Sequence, residues 1–437
     1  MMVADDHRPS AIHAYGNPDV STPNLDALAA HGIRFTNVRC QGGMNAAICA
    51  PSRACLLTGR ELFEATASTA IDTPGSFEIN PSLPTLPELL GKEGYQTYAV
   101  GKWHNGPRAF ARSFQDGSQL FFGGMSDHWA VPVQAFSPRG DYSDERATPA
   151  VGFSTDVFQQ SAIEFLQSSD QDRPYFLYVA FTAPHDPRTP PPPYAEMYHG
   201  ADLELPGNVM ERHEFDNGEL AVRDELLAPP VRTREVIGEH LAAYYGMISH
   251  LDEAIGRIVT AADQIQRRDT VVIYTGDHGL AVGSHGLMGK QNMYDHSLKI
   301  PMIISGLGHE GAVNQKPWYN SDIYATVGAI AGLPSLDVPA RNMLTDEGRT
   351  HICAAYKDVQ RCVISDNWKL IRYYRSLNTG QGSDRTQLFN LSNDPDELHD
   401  CSADPALIDT HDRLMLALTH WQAQHRDPLS PGSEALV

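Results

Sequence analysis

Cys49 stands directly before Ala50-Pro51-Ser52-Arg53, where Pro51 marks the first turn of a helix. A helix N-terminus lowers a thiol's pKa and welcomes anions, so Cys49 is a candidate nucleophile beside an anion site; its plainer reading is a buried free cysteine. Asp5 and Asp6 are adjacent. Two like charges that close are costly unless a cation lies between them or one side chain turns away, so the pair reads as a metal site or as a turn. Asp277-His278-Gly279, after the apolar run Val271-Val272-Ile273-Tyr274, strengthens the metal reading. Lys102, His104 and His185-Asp186 add an amine, imidazoles and a carboxylate, the groups that acid–base and electrostatic catalysis use.

Each of these residues except Cys49 follows a predicted strand. Apolar runs place strands at Met1 to Ala4, Tyr95 to Val100, Tyr175 to Phe181, Thr270 to Thr275 and Pro301 to Ser305. Helices are predicted at Pro23 to Ala30, after the Thr22 cap, and at Ser154 to Gln167 and Arg234 to Ile265, where apolar residues recur at three-and-four spacing. The alternation predicts a large, mostly parallel sheet covered by helices on both faces, whose ligands bind outside the strands' carboxyl ends. From about Arg349 the pattern changes to short strands at Arg361 to Ser365, Lys369 to Tyr374 and Gln387 to Leu391, closed by a helix from Pro405 to Gln424. The expected division is a catalytic α/β domain over 1–345 and a small antiparallel α+β subdomain over 346–437. Pro184 to Pro193, with six prolines, and the acidic stretch Gly200 to Pro230 are expected as rim loops over a site.

Composition narrows the partners. With 33 basic and 54 acidic residues the net charge is −21, so general binding of nucleic acid is excluded and an anionic ligand needs a locally basic pocket. No apolar run approaches the ~20 residues of a membrane span, and Met1 to His7 shows no signal-peptide pattern. Six cysteines form neither a dense disulfide framework nor a CxxC knuckle, which leaves the redox compartment undecided.

Cys49-x-Pro51-Ser52-Arg53 followed by Leu57-Thr58-Gly59-Arg60 resembles the signature of the type I, formylglycine-dependent sulfatases of the alkaline phosphatase superfamily. The likeness runs in order through Asp5-Asp6, Thr22-Pro23-Asn24-Leu25-Asp26, Gly101-Lys102-Trp103-His104, Ala183-Pro184-His185, Gly276-Asp277-His278-Gly279, His285-Gly286-Leu287, Gly289-Lys290 and Asp394-Pro395-Asp396-Glu397. The resemblance implies that Cys49 is converted by a maturation enzyme to Cα-formylglycine. One oxygen of its hydrated aldehyde attacks sulfur, and the other later expels sulfate. It implies a divalent cation held by Asp5, Asp6, Asp277, His278 and modified Cys49. Calcium is the first choice, with magnesium open and manganese kept open by the His278 imidazole. By the same likeness Arg53 and Lys102 orient the nucleophile, Lys290 grips the sulfate, His104 is the base of the collapse step and His185 the acid for the leaving alcohol.

The resemblance implies a sulfated saccharide, from a polysaccharide or glycosaminoglycan, as substrate. His128 and Trp129, Arg188, His285 and His296, and Arg372 are the candidate saccharide contacts; core packing or loop fixing is the alternative for each. Two other functions stay open: a phosphodiesterase or phosphonate monoester hydrolase sharing the site, and a sulfated-glycan binding protein with an inert Cys49. Members of this family are often periplasmic or secreted, whereas only Met1 to Ala4 precede Asp5 here, a shortened first strand that leaves localisation open.

Overall fold

Strand alternation sends successive side chains to opposite faces, and both faces of the main sheet are apolar here. In Met2–Ala4, Val3 enters one core layer while Met2 and Ala4 enter the other. Tyr175–Ala180 does the same, with Phe176 and Tyr178 on the Val3 side and Leu177 and Val179 opposite. A sheet buried on both faces requires helices on both. Cys49–Thr58 and Asp322–Ile330 cover the Val3 side, while Pro23–Ala30, Ser154–Ser168 and Arg234–Gln264 cover the other.

The structure is a computed structural model that describes residues 1–265, 270–334 and 336–430. Its main sheet has nine strands. The order is Ala312–Asn314, Gly32–Arg39, Lys299–Ser305, Val272–Gly276, Met2–Ala4, Tyr175–Ala180, Gln96–Lys102 and Asp116–Phe121, with Trp318–Tyr319 also on Gly32–Arg39. Lys299–Ser305 runs antiparallel to both its neighbours, and the other pairings are parallel. The sheet is therefore mixed and mostly parallel, as the alternation predicts. Met2–Ala4 is short but central, registered on Val179–Ala180 and on Tyr274–Gly276.

Gly32–Arg39 and Asp116–Phe121 are strands that apolar runs do not reveal. Gly32–Arg39 interleaves Ile33, Phe35 and Val38 with Arg34, Thr36 and Asn37, the pattern of a strand near a sheet edge. Gln96–Lys102 extends two residues past its expected end at Val100 and carries Gly101-Lys102 into the sheet. A Cβ on Gly101, at φ +88°, would lie 2.1 Å from the Ala180 carbonyl oxygen, so the close pairing requires glycine.

A second sheet orders Arg385–Asn390, Trp368–Tyr373, Gln360–Ser365 and Ile352–Tyr356, antiparallel throughout, and adds Gly42–Gly43 in parallel. That edge pair lies just ahead of Cys49 in the chain, so the second sheet abuts the start of the Cys49 helix. The helix Ile408–Gln424 packs on this sheet through Leu414, Leu418 and Trp421. Residues 431–437 of the expected subdomain, and 266–269 and 335 of the expected catalytic domain, lie outside the described residues. Among the described residues no helix is long and apolar enough to cross a membrane.

Candidate active site

Four parallel strands end on the same side of the sheet and deliver Asp5-Asp6, Lys102, the His185 turn and Asp277-His278. The fifth contributor is the helix Cys49–Thr58, all of whose residues are buried. Pro51 in its first turn needs no N–H partner there, and Gly59 closes it in the left-handed conformation at φ +66°. Cys49 thus sits at the positive end of a buried helix, facing the strand ends.

Ion pairs between these elements fix the geometry. Lys102 Nζ donates to Asp5 Oδ2 and lies 3.6 Å from Cys49 Sγ. Lys290 Nζ donates to Asp6 Oδ1 at 2.7 Å. Arg53 Nε donates to Asp277 Oδ2 at 2.9 Å and its Nη1 to the Lys102 carbonyl at 3.0 Å. His185 Nε2 is 3.8 Å from Asp6 Oδ2, and its Nδ1 donates to the Asp186 carbonyl at 2.8 Å. All of these side chains are buried. Asp6 and His104 adopt left-handed backbone at φ +66° and +60°, conformations that cost energy in non-glycine residues and persist where surroundings impose them.

The residues fit a divalent cation. Asp5 Oδ1, Asp6 Oδ2 and His278 Nε2 are buried without a hydrogen-bond partner, and buried polar atoms of that kind call for a ligand. One ligand atom each from Asp5, Cys49, Asp277 and His278 lies within 4.8 Å of the others, as do atoms of Asp5, Asp6 and His185. A set dominated by carboxylates suits a hard cation. The carboxylates impose a field that favours a positive charge: burial disfavours charge on His278, yet Asp277 outweighs it and raises the imidazole to about 9. Burial likewise opposes ionisation of Asp5, and Lys102, His185 and Arg53 hold it well below the usual carboxylate value. At Cys49 burial is again overcome by Lys102 and Lys290, which hold the thiol well below its ordinary pKa. Lys290 is held well above the usual lysine value, burial notwithstanding, chiefly by Asp6. His104 is lowered by burial, so its neutral, proton-accepting form is favoured.

The candidate saccharide contacts are not gathered in the same way. His128 is buried with Nδ1 at 2.8 Å from Ser154 Oγ and Nε2 at 2.9 Å from the His185 carbonyl, so both ring nitrogens are spent holding the His185 turn and none is left for a sugar. His285 stacks on Tyr294 at 3.9 Å and sets Nε2 against the Glu397 carbonyl at 3.0 Å, which fixes its loop. His296 borders a separate cavity of about 560 Å³ with Arg8 and Asn208, which none of the candidate catalytic residues lines. Arg372 is taken up by Asp384, the Arg385 carbonyl and the Tyr374 ring on its own sheet. Trp129 is half exposed against Phe153, and Arg188 sets Nη1 3.3 Å from His240 Nδ1 above the Tyr244 ring.

Residue types alone do not reveal the supports. Ser52 Oγ donates to the Asp277 carbonyl, Asn320 Nδ2 donates to Ser52, and Asn105 Nδ2 donates to the Ala50 carbonyl at 2.7 Å. These bonds moor the Cys49 helix to two strand ends. Ser52 is one of the signature residues, though its role as a support is not written there, and nothing in the sequence marks Asn320. Gly279 is explained by space: a Cβ there would lie 2.1 Å from the His296 carbonyl oxygen.

A mixed, mostly parallel sheet flanked by helices, with carboxylates, imidazoles and the start of the Cys49 helix gathered at its strand ends, is the fold of the solved sulfatase and phosphonate hydrolase structures it superposes on. Within that fold class, a model of the Sulfatase family matches residues 1–333; the chain belongs to this family and is a sulfuric ester hydrolase. It is 25% identical to an N-acetylglucosamine-6-O-sulfatase of Bacteroides thetaiotaomicron, over 98% of this chain and 86% of that one. A solved structure of a protein in complex with its substrate D-glucosamine-2-N,6-O-disulfate superposes with a TM-score of 0.79, covering 98% of each chain at 22% identity. The phosphonate monoester hydrolase of Agrobacterium radiobacter gives a TM-score of 0.73 at 23% identity, covering 97% of this chain and 95% of that one.

Proposed function

We propose that the protein hydrolyses sulfate esters of a saccharide, releasing inorganic sulfate, with Cys49 matured to Cα-formylglycine and a divalent cation, calcium first, at Asp5, Asp6, Asp277 and His278. The observation that carries the reading is the convergence of these ligands with Cys49, Lys102, Lys290 and His185 in one buried set. Three carboxylates face three fixed cations, Arg53, Lys102 and Lys290, so a divalent ion leaves the pocket positive enough for an anionic ester in a protein of net charge −21. The names of the relatives support a sulfated amino sugar as the substrate class.

When bound, the cation polarises the nucleophile and neutralises charge on the sulfuryl oxygens. Maturation of Cys49 supplies that nucleophile. Arg53, through its bonds to Asp277 and the Lys102 carbonyl, and Lys102, through its bond to Asp5, orient position 49. Lys290 holds a sulfuryl oxygen, His185 gives its Nε2 proton to the departing alcohol oxygen, and neutral His104 takes the proton from position 49.

The test is peptide mass spectrometry of the Cys49 segment, on protein coexpressed with a formylglycine-generating maturation enzyme, joined to a sulfate-release assay on a panel of sulfated saccharides. A loss of about 18 Da, the thiol-to-aldehyde change, with sulfate released supports the reading. Release from phosphonate or phosphate esters alone moves the activity to the phosphonate hydrolases. Unmodified Cys49 despite a competent maturase, with no turnover, overturns it.

A further inference from the structure

The acidic stretch between Gly200 and Pro230 does more than border the site. Three consecutive residues of its Arg223–Leu227 turn each reach a loop that carries chemistry. Arg223 binds Asp186 through both Nη atoms, with Nη1 at 3.1 Å from Oδ2. Asp186 follows the candidate acid, and its Oδ1 lies 3.3 Å from His185 Nδ1. Asp224 Oδ2 accepts from Gln291 Nε2 at 2.8 Å, and Gln291 Oε1 in turn accepts from the Lys290 backbone N–H at 3.0 Å. Glu225 accepts the backbone N–H groups of Met288 and Gly289, each at 2.9 Å, and is itself held by Arg232 Nη2 at 2.6 Å. One tripeptide therefore ties the His185 turn to the Lys290 loop, which lie more than a hundred residues apart in sequence.

We infer that Arg223-Asp224-Glu225 is a positioning clamp, and that Arg223 sets the aim of His185 as the acid for the leaving alcohol. The inference rests on the reading of His185 given above. His185 is anchored from two sides: His128 bonds its carbonyl, and Asp186, pinned by Arg223, accepts from Nδ1 at its own carbonyl at 2.8 Å and sets its carboxylate Oδ1 3.3 Å from the same nitrogen. An imidazole giving its Nε2 proton needs its Nδ1–H fixed, because ring tilt changes the distance over which the proton moves. Without Arg223 the Asp186 carboxylate loses its hydrogen-bonded arginine, retains Arg188 as a nearby charge, and is held less firmly at the His185 turn. Proton delivery should suffer first, because Lys290 keeps its grip through Glu225.

The discriminating experiment compares leaving groups. A sugar alkoxide must be protonated as the S–O bond breaks and its electron pair moves to oxygen, whereas 4-nitrophenolate departs unaided. Matured Arg223→Met should lose about tenfold to a hundredfold in kcat on a sulfated sugar and stay within about threefold of wild type on 4-nitrophenyl sulfate. Arg223→Lys, keeping a point charge opposite Asp186, should recover part of the loss. The Arg223 side chain is 43% exposed, so both variants are expected to fold, and a melting curve checks this. Equal losses on both substrates, or no loss on the sugar, overturn the inference. Wild-type enzyme that releases no sulfate from either ester overturns the reading of the site instead, before any variant is compared.

Discussion

Replacing Lys290 by methionine tests the electrostatic core of the site. The substitution keeps the aliphatic stem and removes the ammonium, which is buried, charged at any working pH and 2.7 Å from Asp6 Oδ1. At a separation of about 3 Å and an effective dielectric of about 20, one charge pair is worth roughly 5 kcal/mol, an upper bound on what Lys290 gives a sulfuryl oxygen. The substrate already carries its charge before the reaction, so part of that energy is spent in binding. Loss of a single preorganised donor to a developing oxyanion costs about 3–4 kcal/mol, or roughly a hundredfold to a thousandfold in rate. Expected for Lys290→Met is a fall of about that size in kcat/KM on a sulfated sugar, with KM raised as well as kcat lowered. The assay is steady-state sulfate release, with thermal unfolding measured at saturating calcium to show that Asp6 remains accommodated. A kcat/KM within about threefold of wild type would refute the assignment of Lys290 to the sulfate.

Cys49→Ala should abolish turnover while leaving the fold intact, since the residue contributes one buried sulfur to packing; retained hydrolysis would sink the nucleophile assignment. Chelation should remove activity and lower the melting temperature, and calcium should restore both, because an ion that binds only the folded state stabilises it by about 2.7 kcal/mol at a hundred times its Kd. Indifference of both readouts to chelator would exclude the cation. Away from the site, Arg361 donates to Asp427 through Nε and Nη2, both at 2.6 Å, in a fully buried pair. Asp427→Asn strands the guanidinium charge and should cost about 3–5 kcal/mol in urea unfolding at neutral pH. Burial opposes the Asp427 charge, but Arg361 holds its carboxyl below the ordinary value of 3.8. The pair therefore stabilises fully above that value and loses its contribution as pH falls beneath it, so the variant should show a shallower stability decline than wild type below about pH 4. Parallel acid profiles would show that the pair contributes nothing.

What the chain discloses before folding follows from how local the information is. Asp5-Asp6, Lys102, His185 and Asp277-His278 are legible because each follows an apolar strand, and parallel strands deliver their ends to one place. Cys49 is legible because its helix start is written in Pro51. The histidines of the rim are a different case. Whether an imidazole faces a sugar or a carbonyl depends on which distant backbone reaches it, and Ser154, the His185 carbonyl and Glu397 lie 26, 57 and 112 residues from their partners. Arg223-Asp224-Glu225 reads as an unremarkable polar turn for the same reason: its acceptors and donors come from segments that only the fold brings near. The strand Gly32–Arg39 hides because apolar runs find buried strands, and half its side chains are polar.

The bonds that hold the site also bind its parts to a common fate. Arg53 spans the Lys102 and Asp277 strand ends, Lys102 spans its own strand and Asp5, Lys290 reaches Asp6, and Ser52 joins the Cys49 helix to Asp277. No member of this set is oriented by its own strand alone. Removing one partner leaves another buried charge unpaired, so the loss measured for a single substitution includes disorder passed to its neighbours. Effects of substitutions within the network should therefore fall short of additive, because the second removes a group the first has already displaced. Arg223 differs in kind: it acts on the network from a half-exposed position, through Asp186 and, at 3.3 Å, its chain neighbour Asp224. A substitution there can detune the acid while the carboxylates, lysines and cation site keep their arrangement, which is why the leaving group, and not the rate on one substrate, reports its role.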